Sequence, residues 1–407
     1  MIYETREERA HRQHELAKDF ETIVIIRPNF PGKEKKNPVA NFVSLLMMIE
    51  MEKELPICHR ETMYKEEGLI FLLGTSKEAL EVKEYALQLE ENHPLGRLVD
   101  IDVMNTSGEM SRRELGHDER QCFICSKRAV LCVRNRTHAL DEVIDFFYRQ
   151  VETYLMPVDK KERFLRTLLF AITTELSRIR TYGCVGFSTT GVHADMDAGT
   201  FIDSTKALLG ILKEMPEETT FQQLRTYGVE GEKKLMQATQ GINAQKGLHF
   251  FSLLLFDAYL NCDFKSMKDY IFNRTQSLKE DLMHLPPHLS KENCGARGHA
   301  LEGFDTLFEN VDCAKNIDAC TLWWMQNTDD TTAIRRRGIE FWRKAQAMAK
   351  PEGTLEKKDY FNEFCIKEGI STGGVADLVT CTLTLYLLKE EEDGNQKKSR
   401  LRDIQLQ

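Results

Sequence analysis

The hydrophobic pattern changes near residue 157, and this change limits the folds open to the chain. Before it, short β-rich runs alternate with amphipathic helical segments; after it, one helical pattern follows another. The segment 156–161, which contains Pro157, ends the last helix of the first part. We therefore expect an α+β domain with a mixed sheet over residues 1–157, an all-helical domain over 158–390 and a polar, frayed tail over 391–407.

Composition narrows the class of protein. A chain of 407 residues with 42% hydrophobic residues can build more than one core. The net charge of -9 argues against general nucleic-acid binding, and a charged N-terminal stretch without any long apolar run fits neither a signal peptide nor a membrane anchor. Eleven scattered cysteines favour reduced thiols or a metal site over a disulfide framework, so we expect a cytoplasmic protein.

Within the first part the pattern predicts particular elements. "TIVIIRPN" is typical of a strand and "NPVANFVSLLMMIEMEKEL" of a helix. A hairpin is expected to turn between Glu66 and Gly68, and Ser76 is expected to cap the helix "SKEALEVKEYALQLEENH". A further strand follows in "GRLVDIDV", and "ALDEVIDFFYRQVETYL" is predicted to be the last helix.

Two aspartates interrupt that further strand. Because side chains alternate along a strand, Asp100 and Asp102 should lie on one face while Val99, Ile101 and Val103 point into the core. Two carboxylates on one face can hold Mg²⁺ with a substrate phosphate, and the preceding Arg97 is a cation suited to phosphate. The alternative is a half-exposed strand with two solvated aspartates.

A cysteine and histidine cluster follows the aspartates. The spacing is Cys122-x₂-Cys125-x₆-Cys132-x₅-His138, and three thiols with an imidazole form a plausible four-ligand set for structural Zn²⁺. The alternative is three small buried thiols and a capping histidine.

At this point the first domain resembles a known family. "HPLGRLVDIDV", "SRR", "RQCFIC", the later "AVLC" with "TH", and the early "REERAHRQHEL" are similar to the citrate lyase holo-acyl-carrier-protein synthases. That family transfers a phosphoribosyl-dephospho-CoA group onto a serine of the citrate lyase acyl carrier subunit, with release of pyrophosphate. The resemblance implies a nucleotidyltransferase-like sheet, catalysis at Asp100 and Asp102 with Mg²⁺, and substrate binding by Arg97 and Arg120.

The second domain resembles the partner enzyme, triphosphoribosyl-dephospho-CoA synthase, which uses ATP and dephospho-CoA and releases adenine. The similar blocks are "GVHADM", "TQGINAQKG", "GARGHALEGF", "DDTTAIRRRG" and "GGVADL", which begin or separate helices where backbone N–H groups can meet phosphate. The resemblance implies catalytic roles for His193, Asp195 and Asp377. It also implies substrate binding by Asn243, Lys246, Arg297, Asp330, Gly373 and Gly374. The chain thus resembles a fusion that carries out both steps.

Four positions depart from the synthase pattern. Thr181 and Gly186 replace a lysine and an aspartate, Ala194 replaces a lysine, and Gln245 replaces a histidine. These departures leave a second reading open, in which the helical domain keeps a nucleotide pocket but mainly assembles the lyase subunits. Because all-helical domains with large apolar faces often self-associate, the sequence also allows a homo-oligomer.

Overall fold

A computed structural model of the chain describes residues 2–283, 295–389 and 400–406. The chain divides into two compact units, Met1–Met156 and Pro157–Gln407. We call them the sheet unit and the helical unit, because the first is built on a five-stranded sheet and the second on helices.

The sheet unit combines five helices and five strands within its described residues. In chain order they are α1 (Ile2–Asp19), β1 (Thr22–Pro28), α2 (Pro38–Glu54), β2 (Ile57–Lys65), β3 (Gly68–Thr75), α3 (Ala79–Asn92), β4 (Val99–Asn105), β5 (Gly108–Glu109), α4 (Ala129–Asn135) and α5 (Leu140–Leu155).

The prediction of a mixed sheet is wrong, because each pairing in the sheet is antiparallel. The strand order is β2-β3-β1-β4-β5. After β1, helix α2 leads to β2 at the edge of the sheet. The β2–β3 hairpin then places β3 between β2 and β1. The connection through α3 places β4 on the other side of β1. The β1–α2–β2 unit, which could have formed a parallel pair, is therefore split by β3.

The two faces of the sheet have different partners. Helices α2 and α3 pack on the strands, while Leu16 and Ala17 of α1 join a buried cluster with Ile23, Ile25 and Met104. Directly paired residues of antiparallel strands share a face, so the register Ile25↔Asp102 and Ile23↔Met104 puts Asp102 on the α1 face. The apolar part of this face forms one buried cluster, and its polar end carries the aspartates.

Three arginines of the early motif tie α1 to the β2–β3 hairpin. Arg6 Nε and Arg9 Nε donate to the two carboxylate oxygens of Glu67 at 3.1 and 2.9 Å, and Glu67 is 5% exposed. Arg12 Nε donates to Glu61 Oε2 at 2.8 Å. These bonds give "REERAHRQ" a structural role, because they hold the helix that covers the sheet.

The unpaired edge of β4 is completed by side chains of α3. The Ile101 N–H donates to Glu90 Oε1 at 2.9 Å, and Lys83 Nζ donates to the Ile101 carbonyl at 3.1 Å. Both side chains are buried at 5% exposure. A buried backbone group without a partner is costly, so these two side chains take the place of a neighbouring strand.

The predicted serine cap of α3 is also wrong. The helix begins at Ala79, and its N-cap residue is Glu78, which makes no side-chain capping bond. Thr75 Oγ1 accepts from the Lys77 N–H at 3.3 Å, and Thr22 Oγ1 donates to the Lys77 carbonyl at 2.7 Å. These bonds hold the chain in a non-helical connection, which delays the start of the helix beyond Ser76.

The helical unit contains only helices and irregular segments among its described residues, apart from isolated β-bridges. Its longer helices are α6 (Lys160–Leu176), α7 (Ala198–Glu214), α8 (Phe221–Ala238), α9 (Lys246–Asn261), α10 (Met267–Thr275), α14 (Ile317–Asn327), α16 (Ile339–Met348), α17 (Leu355–Lys367) and α18 (Gly373–Leu388). The shorter ones are α11 (Leu278–Met283), α12 (Gly295–Leu301), α13 (Asp305–Glu309), α15 (Thr331–Arg337) and α19 (Arg400–Asp403). Helix α18 packs against α6, α9 and α14, and it is buried continuously from Leu378 to Leu388.

The C-terminal segment departs from the frayed tail that we expected. Leu401 and Ile404 are 2% and 7% exposed, and the Gln405 N–H donates to the Lys315 carbonyl at 2.8 Å. Two apolar side chains in a polar segment are enough to anchor its end to the unit. Residues 391–399 of the predicted tail lie outside the described residues.

Two global expectations can be compared with the described part of the chain. The sulfur atoms of Cys313 and Cys320 lie next to each other, whereas the other described cysteines are free. In residues 2–283, 295–389 and 400–406, no helix has the length and apolarity needed to cross a bilayer.

Candidate active sites

The two aspartates of β4 lie as the alternation predicts. Val99, Ile101 and Val103 are fully buried, whereas the Asp100 and Asp102 side chains are both 23% exposed. The two carboxylates therefore share the polar end of the α1 face, where solvent or a ligand can reach them.

Arginines from two other segments meet this carboxylate pair. Arg27 of β1 is the register partner of Asp100, and its Nη2 lies 3.6 Å from Asp100 Oδ2 and 3.1 Å from Asp102 Oδ2. Arg120 bonds both Asp100 and the buried Glu90 of α3. The carboxylates are thus balanced by guanidinium groups that are also suited to phosphate oxygens.

Two further ionisable groups at this site escaped the sequence analysis. Glu109 of β5 lies beside Asp102, and partial burial followed by the charge of Asp102 raises the pKa of Glu109. Burial lowers the pKa of Lys35, which lies in the electrostatic field of Asp100 and Arg27. Neither residue belongs to a recognisable motif, because the sheet register and the loop after β1 bring them to the site.

Arg97, which is predicted to bind phosphate, contacts the cysteine-containing segment in the structure. Its Nη2 donates to the carbonyls of Gln121 and Cys122 at 2.5 and 3.0 Å, and its guanidinium lies 5.8 Å from the ring centre of Phe123. In this arrangement Arg97 holds the cysteine-containing segment against the start of β4.

The cysteine and histidine cluster is assembled in space. One potential ligand atom from each of Cys122, Cys125, Cys132 and His138 lies within 4.8 Å of every other. The arrangement could accommodate one metal ion. Its first member, Cys122, follows Arg120 by two residues in the chain.

In the helical unit, His193 is held between two groups. Its Nε2 lies 2.9 Å from Ser371 Oγ, and Arg336 Nη1 lies 3.2 Å from its Nδ1. Since a guanidinium can only donate, Nδ1 accepts and the proton of a neutral ring resides on Nε2, which donates to Ser371. Burial and the charge of Arg336 lower the pKa of His193, so the neutral ring is favoured.

Asp195 lies near this histidine but faces solvent. Its Oδ1 is 3.9 Å from His193 Nδ1, and its side chain is 67% exposed. The next helix, α7, is capped by Asp197, whose side chain accepts from the Thr200 N–H at 2.9 Å in a capping box. The exposed Asp195 therefore remains available to a ligand, while Asp197 has a structural role.

Asp330 joins the N-terminal ends of two helices. It is 2% exposed, and its carboxylate accepts from Thr332 and Ala333 of α15 and from Gly374 and Val375 of α18. A Cβ on Gly374 would lie 3.2 Å from the Asp330 carboxyl carbon, so glycine permits this close approach. Burial raises the pKa of Asp330 even though the four N–H groups favour its ionised form.

Asp377 belongs to α18, and its side chain contacts the N-terminal end of α9. It accepts a hydrogen bond from the Leu248 N–H, and a Cβ on Gly247 would lie 2.0 Å from its Oδ2, so only glycine fits there. Burial, followed by the charges of Asp330 and Glu175, raises the pKa of Asp377 well above its ordinary value. Glu175 of α6 was absent from the sequence prediction, and it forms a buried ion pair with Arg178.

The segment 371–377 brings these features together. Ser371 contacts His193, Gly374 meets Asp330, and Asp377 meets the start of α9. The structure therefore gathers the "GVHADM", "DDTTAIRRRG", "NAQKG" and "GGVADL" blocks around the N-terminal end of α18.

Three residues predicted to bind substrate have no described contact with His193. Lys246 Nζ pairs with Glu232 of α8, and Asn243 lines a small pocket beside these two residues. Arg297 is exposed on α12. The described contacts therefore do not join these three side chains to the histidine.

Two of the four departures from the synthase pattern are neighbours in space. A Cβ on Gly186 would lie 3.0 Å from Thr181 Cγ2, so the lysine and aspartate that the family pattern has here would be adjacent and oppositely charged. Gln245 is 4% exposed and exchanges a 3.3 Å hydrogen bond with Thr205, while Ala194 is exposed. The loss of a paired lysine and aspartate leaves the net charge of the unit unchanged.

A buried histidine in the "GARGHALEGF" block gives a prediction about acid stability. Burial lowers the pKa of His299 from 6.5 to about 4, and its Nε2 lies 3.1 Å from Thr328 Oγ1. Below pH 6.5 the unfolded chain takes up a proton that the folded chain does not, so the free energy of unfolding falls as the pH falls. We expect this residue to account for about 2 kcal/mol of the loss between neutral pH and about pH 4.5.

Denaturant titrations at neutral and acidic pH test this expectation. His299→Gln can keep a side-chain hydrogen bond to Thr328 but cannot titrate, so the variant should lose less stability on acidification than the wild type. Equal losses in the two proteins would show that His299 titrates near its ordinary value when folded.

With this geometry in place, comparison with known proteins gives the family. Residues 1–154 match the sequence model of the apo-citrate lyase phosphoribosyl-dephospho-CoA transferases. Residues 162–285 and 287–396 match that of the ATP:dephospho-CoA triphosphoribosyl transferases. The chain belongs to both families, as a fusion of the two.

Curated relatives share this organisation. A protein named CitXG from Leuconostoc mesenteroides subsp. cremoris is 27% identical over 95% of this chain and 96% of its own length. A second CitXG, from Haemophilus influenzae, is 26% identical over 94% of each chain. A probable apo-citrate lyase phosphoribosyl-dephospho-CoA transferase from Streptococcus pyogenes is 34% identical over 34% of this chain and 77% of its own length. The fused relatives thus span both units, and the shorter one matches a single family.

Proposed function

We propose that this chain makes the citrate lyase prosthetic group and attaches it to the acyl carrier subunit. The observation that carries the proposal is the order of the two family matches along one chain, because both families are transferases for this prosthetic group. In the helical unit, a ribose hydroxyl of dephospho-CoA would attack C1 of the ribose of ATP and adenine would leave. In the sheet unit, the serine of the carrier would attack the first phosphate of the resulting triphosphoribosyl group and pyrophosphate would leave.

For the first reaction we assign roles around the N-terminal end of α18. Displacement at a ribose C1 needs a proton donor for the departing base and groups that hold the anionic triphosphate. Asp377 is suited to donate the proton, since burial and the charges of Asp330 and Glu175 raise its pKa. His193 and Asp195 would orient the ribose, and Arg336 would approach the triphosphate. We also propose that Asn243, Lys246 and Arg297 bind the substrate, which requires that their side chains reach the bound triphosphate.

For the second reaction we assign roles around β4. Asp100 and Asp102 provide oxygen ligands on one half-exposed face, a donor set that suits Mg²⁺, which would neutralise phosphate charge when bound. Arg27 and Arg120 form ion pairs with these carboxylates, and their guanidinium groups could bind the departing pyrophosphate. This chemistry is that of a nucleotidyltransferase, and we propose such a fold relationship for the sheet unit. We also propose a cytoplasmic location, where exposed thiols such as Cys58 stay reduced.

The fusion predicts a complete conversion by one polypeptide. The purified chain, given ATP, dephospho-CoA, Mg²⁺ and apo-carrier subunit, should release adenine and convert the carrier to its holo form. Chromatography of adenine and intact mass measurement of the carrier follow the two steps separately. A chain that supports neither step would overturn the proposal.

The alternative outcome is a helical unit without synthase activity, and it is motivated by the departures at Thr181, Gly186, Ala194 and Gln245. If the chain transfers a preformed triphosphoribosyl-dephospho-CoA to the carrier but releases no adenine, the helical unit is not a synthase. It would then act as a nucleotide-binding assembly module, and the proposed function would hold for the sheet unit alone.

A further inference from the structure

The cysteine and histidine cluster of the sheet unit has no part in either proposed reaction. Its four members come from a segment of 17 residues that folds back on itself before α5. Cys125 Sγ lies 3.5 Å from Cys132 Sγ, and His138 Nε2 lies 3.4 Å from Cys125 Sγ. Four potential donor atoms within 4.8 Å of one another match the spacing of ligands around a single ion.

The backbone around the first two cysteines is shaped as a tight turn. The Cys122 N–H donates to the Lys127 carbonyl at 2.8 Å, and the Ile124 N–H points to Cys122 Sγ at 3.5 Å. An N–H directed at sulfur favours a thiolate, which is the form that binds metal. The turn thus presents both sulfurs to the same side.

The outer contact of the histidine gives an independent indication. His138 Nε2 faces the sulfurs, while its Nδ1 lies 3.6 Å from Glu142 Oε2 on α5. A carboxylate on the far nitrogen of a metal-binding imidazole fixes its tautomer and increases its basicity.

We propose that Cys122, Cys125, Cys132 and His138 bind one structural Zn²⁺ that holds Arg120 at the transfer site. Three thiolates and one imidazole form a soft, four-coordinate donor set, which favours zinc over the hard cations Mg²⁺ and Ca²⁺. All four positions come from the protein, so this ion would be structural rather than catalytic.

Short connections link the cluster to Arg120. The Arg120 carbonyl accepts from the Ala129 N–H at 2.8 Å, and Gln121 forms a β-bridge with Arg128. Arg97 fixes the Gln121 and Cys122 carbonyls against the start of β4. The turn that would be closed by zinc is therefore the base from which Arg120 reaches Asp100 and Glu90.

Metal analysis of the full-length chain tests the binding. Wild-type protein prepared without a metal-binding tag and with a reducing agent should contain about one zinc per chain, and Cys132→Ser should lose most of it. Cys58→Ser is the matched control, because Cys58 is exposed in the same unit and outside the cluster. The absence of zinc in folded wild-type protein, or its full retention in Cys132→Ser, would overturn the site.

Cobalt gives a second measurement that does not depend on activity. Chelated protein reconstituted with Co²⁺ should show the absorption of a tetrahedral thiolate complex, and the spectrum should persist in Cys58→Ser but not in Cys125→Ser. Failure of the wild type to produce that spectrum would contradict the proposed ligands.

The link to Arg120 rests on the proposed transfer function and has its own test. Zinc-depleted protein should transfer the preformed prosthetic group at least about tenfold more slowly, since outer positioning contacts commonly contribute factors of this size. Adenine release by the helical unit should be unchanged. Undiminished transfer without zinc would refute the link to Arg120, whereas a wild-type chain that contains zinc but transfers nothing would refute the transfer function.

Discussion

Asp102→Asn is expected to abolish transfer of the prosthetic group to the carrier subunit while adenine release continues. The substitution preserves the size of the side chain but removes the charge that Arg27 contacts at 3.1 Å and that would hold Mg²⁺. Loss of one electrostatic contribution at a phosphoryl site commonly lowers the rate by about 10²-fold or more. Intact mass measurement of the carrier, with preformed triphosphoribosyl-dephospho-CoA supplied, reports this step alone.

Asp118→Asn is the matched control, because Asp118 is an exposed aspartate of the same unit. Asp100→Asn should give a similar loss, although it also removes a partner of Arg120. Wild-type transfer by both β4 variants would show that these aspartates are solvated side chains of an ordinary strand, which is the alternative that their sequence left open.

The part of this site that could be predicted is local. The alternation of Val99, Ile101 and Val103 with two aspartates determines which side chains face the core, because successive residues of a strand point to opposite sides. The same holds for the spacing of the cysteine cluster, whose members lie close together in sequence. Both features depend on a few consecutive residues.

What could not be predicted depends on strand pairing between distant segments. Arg27 faces Asp100 only because β1 and β4 are neighbours in a given register, and a one-residue shift would turn it to the other face. The mixed sheet was wrongly expected for the same reason, since the position of β3 between β1 and β2 follows from packing of the whole unit. Strand patterns alone do not determine the order of strands.

The helical unit shows a second limit. The sequence blocks point to His193, Asp330 and Asp377, but their partners Ser371, Arg336 and Glu175 become visible only when four segments meet. Lys246 shows the same limit, because a lysine at a helix start suggests phosphate binding, and its pairing with Glu232 depends on how α8 packs beside α9. Residue type indicates what a side chain can do, and neighbours from other helices decide what it does.

His193→Gln is expected to lower adenine release by about 10²-fold, because the ribose would lose its orientation, with transfer of the preformed group unaffected. The imidazole occupies a defined position between Ser371 and Arg336, and its neutral form is favoured because burial and Arg336 lower its pKa. We take the neutral ring as the form that orients the ribose, so the wild-type rate should fall as the pH falls through this lowered pKa. Below that pKa the ring would be charged and would repel the Arg336 guanidinium.

The pH dependence of adenine release shows whether Arg336 acts on His193 or only stabilises the fold. Without the neighbouring positive charge the pKa of His193 should rise, so adenine release by Arg336→Ala should begin to fall at a higher pH than in the wild type. Arg335→Ala is the matched control, since Arg335 is an exposed arginine adjacent in sequence. If Arg336→Ala keeps both the wild-type rate and the wild-type pH profile, or if His193→Gln releases adenine normally, then the reacting ribose lies elsewhere in the helical unit, and the carboxylates around Asp377 become the next group to test.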